Sequence, residues 1–260
     1  MPYSIRNGVS IHYEVSGEGP PMVLIHANPF DRRLWLYQVA HFSTWFKVVS
    51  IDIRGYGRSD KPAGEFSILD MAEDVLGVCE DLEIDQAVLM GASVGSGIAL
   101  MLGLERPGLF RAMVLVGGGS GGMNFDRRIH GYGDLGVARY HREHLHDLVA
   151  PQFASSRLGA YLLDRFAEVG PSLSGAAIAQ IFRARAALDM SARLPSLAVP
   201  TLVVNGEFDI SLEDGRRTAG LIPNAVHRIL PGTGHACCIE DPAGFDEIVV
   251  AFLRARQLLA

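Results

Sequence analysis

Five short apolar runs leave this chain the least freedom in how it can fold: Met22-Val-Leu-Ile25, Lys47-Val-Val-Ser-Ile51, Ala87-Val-Leu-Met90, Ala112-Met-Val-Leu-Val116 and Thr201-Leu-Val-Val204. A strand with one wet face alternates apolar and polar residues, as residues 9–15 do, whereas a nearly continuous apolar strand must be covered on both faces. Helices supply that cover, and helix-period stretches at residues 68–82 and 95–104 lie between the runs. Strands alternating with helices imply an α/β fold with a mostly parallel sheet and right-handed crossovers. A late strand at 226–230 and an amphipathic helix at 245–258 complete the pattern.

The rhythm fails once. From about residue 120 to 197 no strand-like run occurs and apolar residues recur at helical spacing, which predicts a helical insertion. Gly117-Gly118-Gly119 and Gly121-Gly122 form a flexible entry, and Pro195 and Pro200 mark the return to the sheet. The expected organisation is a core of residues 1–119 and 198–260 with 120–197 inserted into it, since 260 residues are within reach of one hydrophobic core. The glycine-rich entry lacks the Gly-Lys-Ser/Thr of a phosphate-binding loop and reads as a hinge.

The balance of 23 Lys and Arg against 29 Asp and Glu gives a net charge of −6, and no basic run exceeds the pairs Arg32-Arg33, Arg127-Arg128 and Arg216-Arg217. Phosphate backbones would meet no basic face. No apolar run approaches the ~18–20 residues of a membrane span, and Met1-Pro2-Tyr3-Ser4-Ile5-Arg6 is unlike a secretory leader. Cys79, Cys237 and Cys238, an odd set with two neighbours, fit a reducing compartment. The expectation is a soluble, cytoplasmic protein acting on a small molecule, with neither nucleic acid nor membrane as partner.

Gly91-Ala92-Ser93-Val94-Gly95 stands between an apolar run and a helical one, so this G-x-S-x-G falls on a strand–turn–helix junction. A serine there projects above the sheet at a helix N-terminus, where backbone N–H groups and the helix dipole favour a developing oxyanion. A serine hydroxyl needs a base, and the base needs a group that holds its tautomer. Two later strands run into turns bearing such groups: Thr201-Leu-Val-Val-Asn-Gly-Glu-Phe-Asp209 and Pro231-Gly-Thr-Gly-His235. Asp209 competes for the acid role with Glu207, Asp214 and Asp241, while His26, Asp52 and Arg54 read as groups bracing their loops. His141 and His144 share a helical face, but no further ligand pattern completes a metal site, so they read as polar residues on a solvated face.

Together with Ile25-His-Ala-Asn-Pro-Phe30 and Asp52-Ile-Arg-Gly-Tyr-Gly-Arg-Ser59, these motifs fall in an order by which nearly the whole chain resembles the α/β-hydrolase superfamily. The resemblance implies a three-layer fold whose mostly parallel, eight-stranded sheet carries a helical cap after the sixth strand. It makes Ser93 the nucleophile, His235 the base and Asp209 the acid that orients it. The backbone N–H groups of Asn28 and Val94 would form the oxyanion hole, with Ala27 departing from the family's usual glycine. No cofactor or metal is called for.

Serine at position 93, in place of aspartate, points to attack on a carbonyl and an acyl-enzyme stage. An ester or lactone of a small, partly apolar substrate is the leading expectation. The alternatives are a C–C (β-diketone) hydrolase, a cofactor-free perhydrolase or acyltransferase, and a small-molecule receptor that keeps the triad. Phe30, Trp35, Tyr132, Phe153, Tyr161, Phe166 and Phe182 are candidates for either cap core or pocket wall.

Overall fold

The computed structural model describes residues 2–259. Its eight strands are β1 (Tyr3–Arg6), β2 (Val9–Ser16), β3 (Pro21–Ile25), β4 (Lys47–Ile51), β5 (Ala87–Ala92), β6 (Phe110–Val116), β7 (Thr201–Gly206) and β8 (Val226–Leu230). They form one sheet in the order β1-β2-β4-β3-β5-β6-β7-β8, antiparallel at β1/β2 and β2/β4 and parallel elsewhere. The first strand was not among the apolar runs read from the sequence. Asn7 and Gly8, at φ 52° and 76°, turn it back onto β2 in the manner of a two-residue hairpin.

The continuous apolar runs divide residue by residue between two cores, as strands covered on both faces must. Val23, Ile25, Leu89, Met113, Leu115 and Val203 belong to one. Met22, Leu24, Val88, Met90, Val114 and Leu202 belong to the other. Helix α1 (Leu36–Phe42) serves the second core, whereas α2 (Ile68–Asp81) and α3 (Val94–Glu105) serve the first. Ser67 starts α2 with a reciprocal capping box to Asp70.

Between β6 and β7 the chain runs through α4 (Asp126–Asp134), α5 (Val137–Asp147), α6 (Pro151–Ala154), α7 (Arg157–Ala167) and α8 (Gly175–Ala186). Entry and exit lie side by side, because Met190 N–H donates to Ser120 C=O at 2.9 Å and Gly121 bridges Asp189. Tyr132 stacks on Phe182 with centroids 6.0 Å apart, and Gly131 has no room for a Cβ against the Tyr140 ring. His141 and His144 face this packing and are buried, contrary to the solvated face expected for them. Helix α9 (Leu212–Leu221) follows β7; one-turn α10 (Cys237–Glu240) precedes α11 (Pro242–Ala255), which Asp241 caps through Gly244 N–H. Among the described residues no helix is long and apolar enough to cross a membrane.

The turn after β4 is braced internally. Asp52 accepts from the backbone N–H of Arg32 (3.0 Å) and Arg58 (3.1 Å), and its second oxygen lies 3.1 Å from His12 Nδ1. Arg54 reaches α2, where Nε and Nη2 meet the two oxygens of buried Asp74 at 2.6 and 2.7 Å. Removing one partner of such a pair strands the other charge. Arg54→Ala is therefore expected to lower unfolding free energy by about 3–5 kcal/mol, measured by urea denaturation. A loss below 1 kcal/mol would show that Asp74 is accommodated without its guanidinium.

Candidate active site

The junction from β5 to α3 is made at Ser93, which holds φ 53° and ψ −110°. A positive φ is costly for a residue with a Cβ and persists only where the surroundings enforce it. Here the Ser93 N–H donates to Val116 C=O at 2.7 Å, and its own carbonyl accepts from Ser96 N–H at 3.0 Å. Ser96 Oγ donates to Gly91 C=O (2.8 Å) and lies 3.1 Å from Val116 O, tying β5, β6 and the helix start together. A Cβ on Gly91 would sit 2.3 Å from Gly95 O, and one on Gly95 would sit 2.3 Å from Ile25 O. The two glycines of the motif thus permit a close backbone approach that no other residue would.

His235 ends the loop after β8 and is buried. Its Nδ1 lies 2.7 Å from Asp209 Oδ1. Asp209 also accepts from the Ser211 N–H and Oγ, both at 2.8 Å, and through Oδ2 from Asn205 Nδ2 at 2.8 Å. Burial alone would raise the Asp209 carboxyl, but the neighbouring His235 charge and these hydrogen bonds outweigh it and bring its pKa to about 2. An ionised Asp209 fixes the proton on His235 Nδ1 and leaves the Nε2 lone pair free, the state a general base needs.

The competing acids are occupied elsewhere: Glu207 accepts from Gly232 N–H, Asp214 pairs with Arg217, and Asp241 caps α11. The His235 loop is itself clamped, because Glu240 accepts from Gly234 N–H at 2.9 Å and from Ala150 N–H at 2.8 Å. Ser211, Asn205 and Glu240 were not picked out in the sequence, where nothing marks an ordinary polar residue as a brace.

Ser93, Val94, Asn28 and His235 line one cavity of about 220 Å³. Among the described residues no hydrogen bond joins the Ser93 hydroxyl to His235. Val94 opens α3, where backbone N–H groups have no intrahelical acceptor. Asn28 is buried, and neither polar atom of its side chain has a partner. Ala27 does not take a positive φ, so its Cβ is accommodated without strain. His26 Nε2 accepts from Ile53 N–H at 3.0 Å and its Nδ1 faces Ala27 C=O at 2.9 Å; it braces the loop. Of the aromatic candidates only Phe182 reaches the cavity, joined by Phe125, whereas Phe30, Trp35, Tyr132, Phe153 and Phe166 are core and Tyr161 is exposed.

A parallel-centred eight-stranded sheet with a serine at the β5–α3 elbow defines the α/β-hydrolase class. The chain belongs to the alpha/beta hydrolase fold family, whose model matches residues 20–242. It is 30% identical to RutD of Caulobacter segnis, which carries the name of a carbamate hydrolase, over 94% of this chain and 96% of that protein. A solved structure of Est816, described as an N-acyl homoserine lactone degrading enzyme, superposes with TM-score 0.85 at 30% identity, covering 96% of this chain and all (100%) of that one. The enol-lactonase of Burkholderia xenovorans gives TM-score 0.91 at 26% identity, over 97% and 100% of the two chains. The chain therefore stands among hydrolases of this fold.

Because the folded-state pKa of Asp209 lies below the carboxylate value of the unfolded chain, its stabilisation is complete above about pH 4 and is lost as pH falls through about 2. Asp209→Asn is expected to flatten the pH dependence of the urea midpoint across that window. A slope equal to the parent's would show that the acid's contacts do not set it.

Proposed function

We propose that this hydrolase cleaves a carboxylic ester or lactone through Ser93, His235 and Asp209. The observation that carries the reading is the buried 2.7 Å contact of Asp209 with Nδ1 of His235, which lines the same cavity as Ser93. Ser93 Oγ attacks the carbonyl carbon as its proton passes to His235 Nε2. The tetrahedral oxyanion is held by the backbone N–H groups of Val94 and Asn28. His235 then protonates the departing alkoxide, leaving an acyl-Ser93 ester; water, deprotonated by the same nitrogen, releases the acid and restores the serine. In this mechanism the Ser93–His235 hydrogen bond forms as substrate binds, since catalytic contacts are often long in the free enzyme.

In this reading residues 120–197 are a cap on a core of 1–119 and 198–260. Support comes from the cavity wall, to which that segment contributes Arg127, Arg128, His144, Leu148, Phe182 and Arg185. The names of the lactone-degrading relatives favour ester or lactone over C–C cleavage or perhydrolysis. Three unpaired, buried cysteines agree with a reducing, cytoplasmic setting.

With a chromogenic acetyl or butyryl ester, the parent is expected to release a burst of about one equivalent of alcohol, and Ser93→Ala none. Asp209→Asn is expected to lower kcat by about 10³–10⁴. Undiminished turnover in Ser93→Ala would remove the serine mechanism. Ligand-dependent thermal stabilisation without turnover by the parent would favour the receptor instead.

A further inference from the structure

The cavity above Ser93 is positively charged in a protein that is acidic. Three arginines, Arg127, Arg128 and Arg185, form part of its wall, and among the described residues no Asp or Glu does, although the chain carries 29 acids against 23 bases. Composition would have given the opposite sign.

The three are not equivalent. Arg127 and Arg128 share a single carboxylate, Asp147, at 3.1 and 2.9 Å, which leaves that pair one charge in excess. Arg185, on α8, is 4% exposed. Its Nη2 donates to Gly119 C=O at 2.5 Å, whereas Nη1 is buried with no partner. Asp214 favours the charge electrostatically, but its Oδ1 pairs with Arg217 at 2.6 Å, its buried Oδ2 has no hydrogen-bond partner, and it forms no ion pair with Arg185. His144 adds nothing, because burial and the nearby Arg128 hold its pKa well below the ordinary value and keep it neutral.

A guanidinium stays charged in a protein, and a buried charge is retained where it is paired and hydrogen-bonded. Arg185 has one neutral acceptor and a vacant donor. Its location gives that vacancy a meaning: a Cβ on Gly97 would lie 3.2 Å from Arg185 Nε, and Gly97 is one helical turn beyond Ser93 on α3. The unpaired charge is therefore held against the first turn of α3, in the wall of the cavity that Ser93 also lines, and the N-terminus of that helix adds to the positive potential.

We infer that the missing partner is the substrate: the cavity takes a small ester or lactone that bears a free carboxylate, which pairs with Arg185 while Arg127 and Arg128 draw it in. Planar guanidinium and carboxylate match as bidentate partners, so Arg185 would fix where the scissile carbonyl stands relative to Ser93 as well as attract the anion. Phe125 and Phe182 would flank the intervening carbons. This inference rests on the serine-hydrolase reading only for its kinetic arm.

Two near-isosteric pairs test it, one with the charge on the acyl side and one on the alcohol side: monomethyl glutarate against methyl pentanoate, and O-butyrylglycolate against ethyl butyrate. The charged member of at least one pair is expected to have the higher kcat/KM, by about tenfold or more, equivalent to about 1.4 kcal/mol. That ratio is expected to collapse in Arg185→Gln and to recover in part in Arg185→Lys, which keeps the charge but not the fork.

Equilibrium binding of monomethyl glutarate and of O-butyrylglycolate to Ser93→Ala, compared with their uncharged counterparts by calorimetry, gives the same comparison without chemistry. Parity within both pairs, or a preference that persists undiminished in Arg185→Gln, overturns the inference. If no ester is turned over but Ser93→Ala binds a charged member preferentially, the anion site stands and the hydrolytic reading falls. If esters are turned over without preference, the reverse holds. Should Arg185→Gln fail to fold, the parent's ratio and the binding comparison still decide.

Discussion

The close approach of α3 to the ends of β3 and β5 is the constraint on which the rest of this structure depends. The chain passes from strand to helix at one residue, and Gly95 packs its α-carbon against Ile25 O with no space for a side chain. That contact brings the first N–H groups of α3 next to the loop carrying Asn28, so the donors proposed for the oxyanion come from two separate segments whose approach needs both glycines to lack a Cβ. Ser96, one turn into the helix, secures the arrangement by bonding to Gly91 and Val116, the ends of adjacent strands. The strain at Ser93 is thereby carried by the centre of the sheet, the part least able to relax.

A second consequence follows from sheet order. β5, β6, β7 and β8 are consecutive neighbours and parallel, so their C-terminal ends emerge along one edge of the sheet. Ser93, Gly117, Asp209 and His235 all follow those ends. Gly117, at φ 55°, is packed so tightly that a Cβ would lie 2.9 Å from His235 Nδ1. The imidazole is thus located from below by a backbone and from the side by a carboxylate, leaving rotation little freedom.

Much of this was legible in the sequence because it depends on local pattern. Two-sided burial shows as continuous apolar runs, and the elbow shows as glycines at fixed spacing around a serine. Asp209 and His235 were readable as groups closing strand–turn segments. The short β1 escaped because only Ser4 of its four residues is buried and its pairing rests on the Asn7-Gly8 turn, a signal present but passed over. His141 and His144 were misplaced because α5 is amphipathic in a way that helical spacing alone does not orient: which face meets Tyr132, Phe166 and Phe182 is decided by the packing of three other helices, α4, α7 and α8. Arg185 gave no signal at all. An arginine in a helix with other arginines reads as solvated, and only the fold reveals that this one is buried while Arg183, two residues earlier, is exposed.

The contrast between the two buried charges Asp209 and Arg185 then becomes informative. Asp209 accepts from three residues, its carboxylate fully engaged before any ligand arrives. Such a group is preorganised, and its low pKa keeps it ionised. Arg185 is comparably buried yet has one neutral acceptor and an empty nitrogen. The fold gives the Asp209 carboxylate four hydrogen bonds and the buried Arg185 guanidinium one, and the inferred substrate carboxylate would complete the second set.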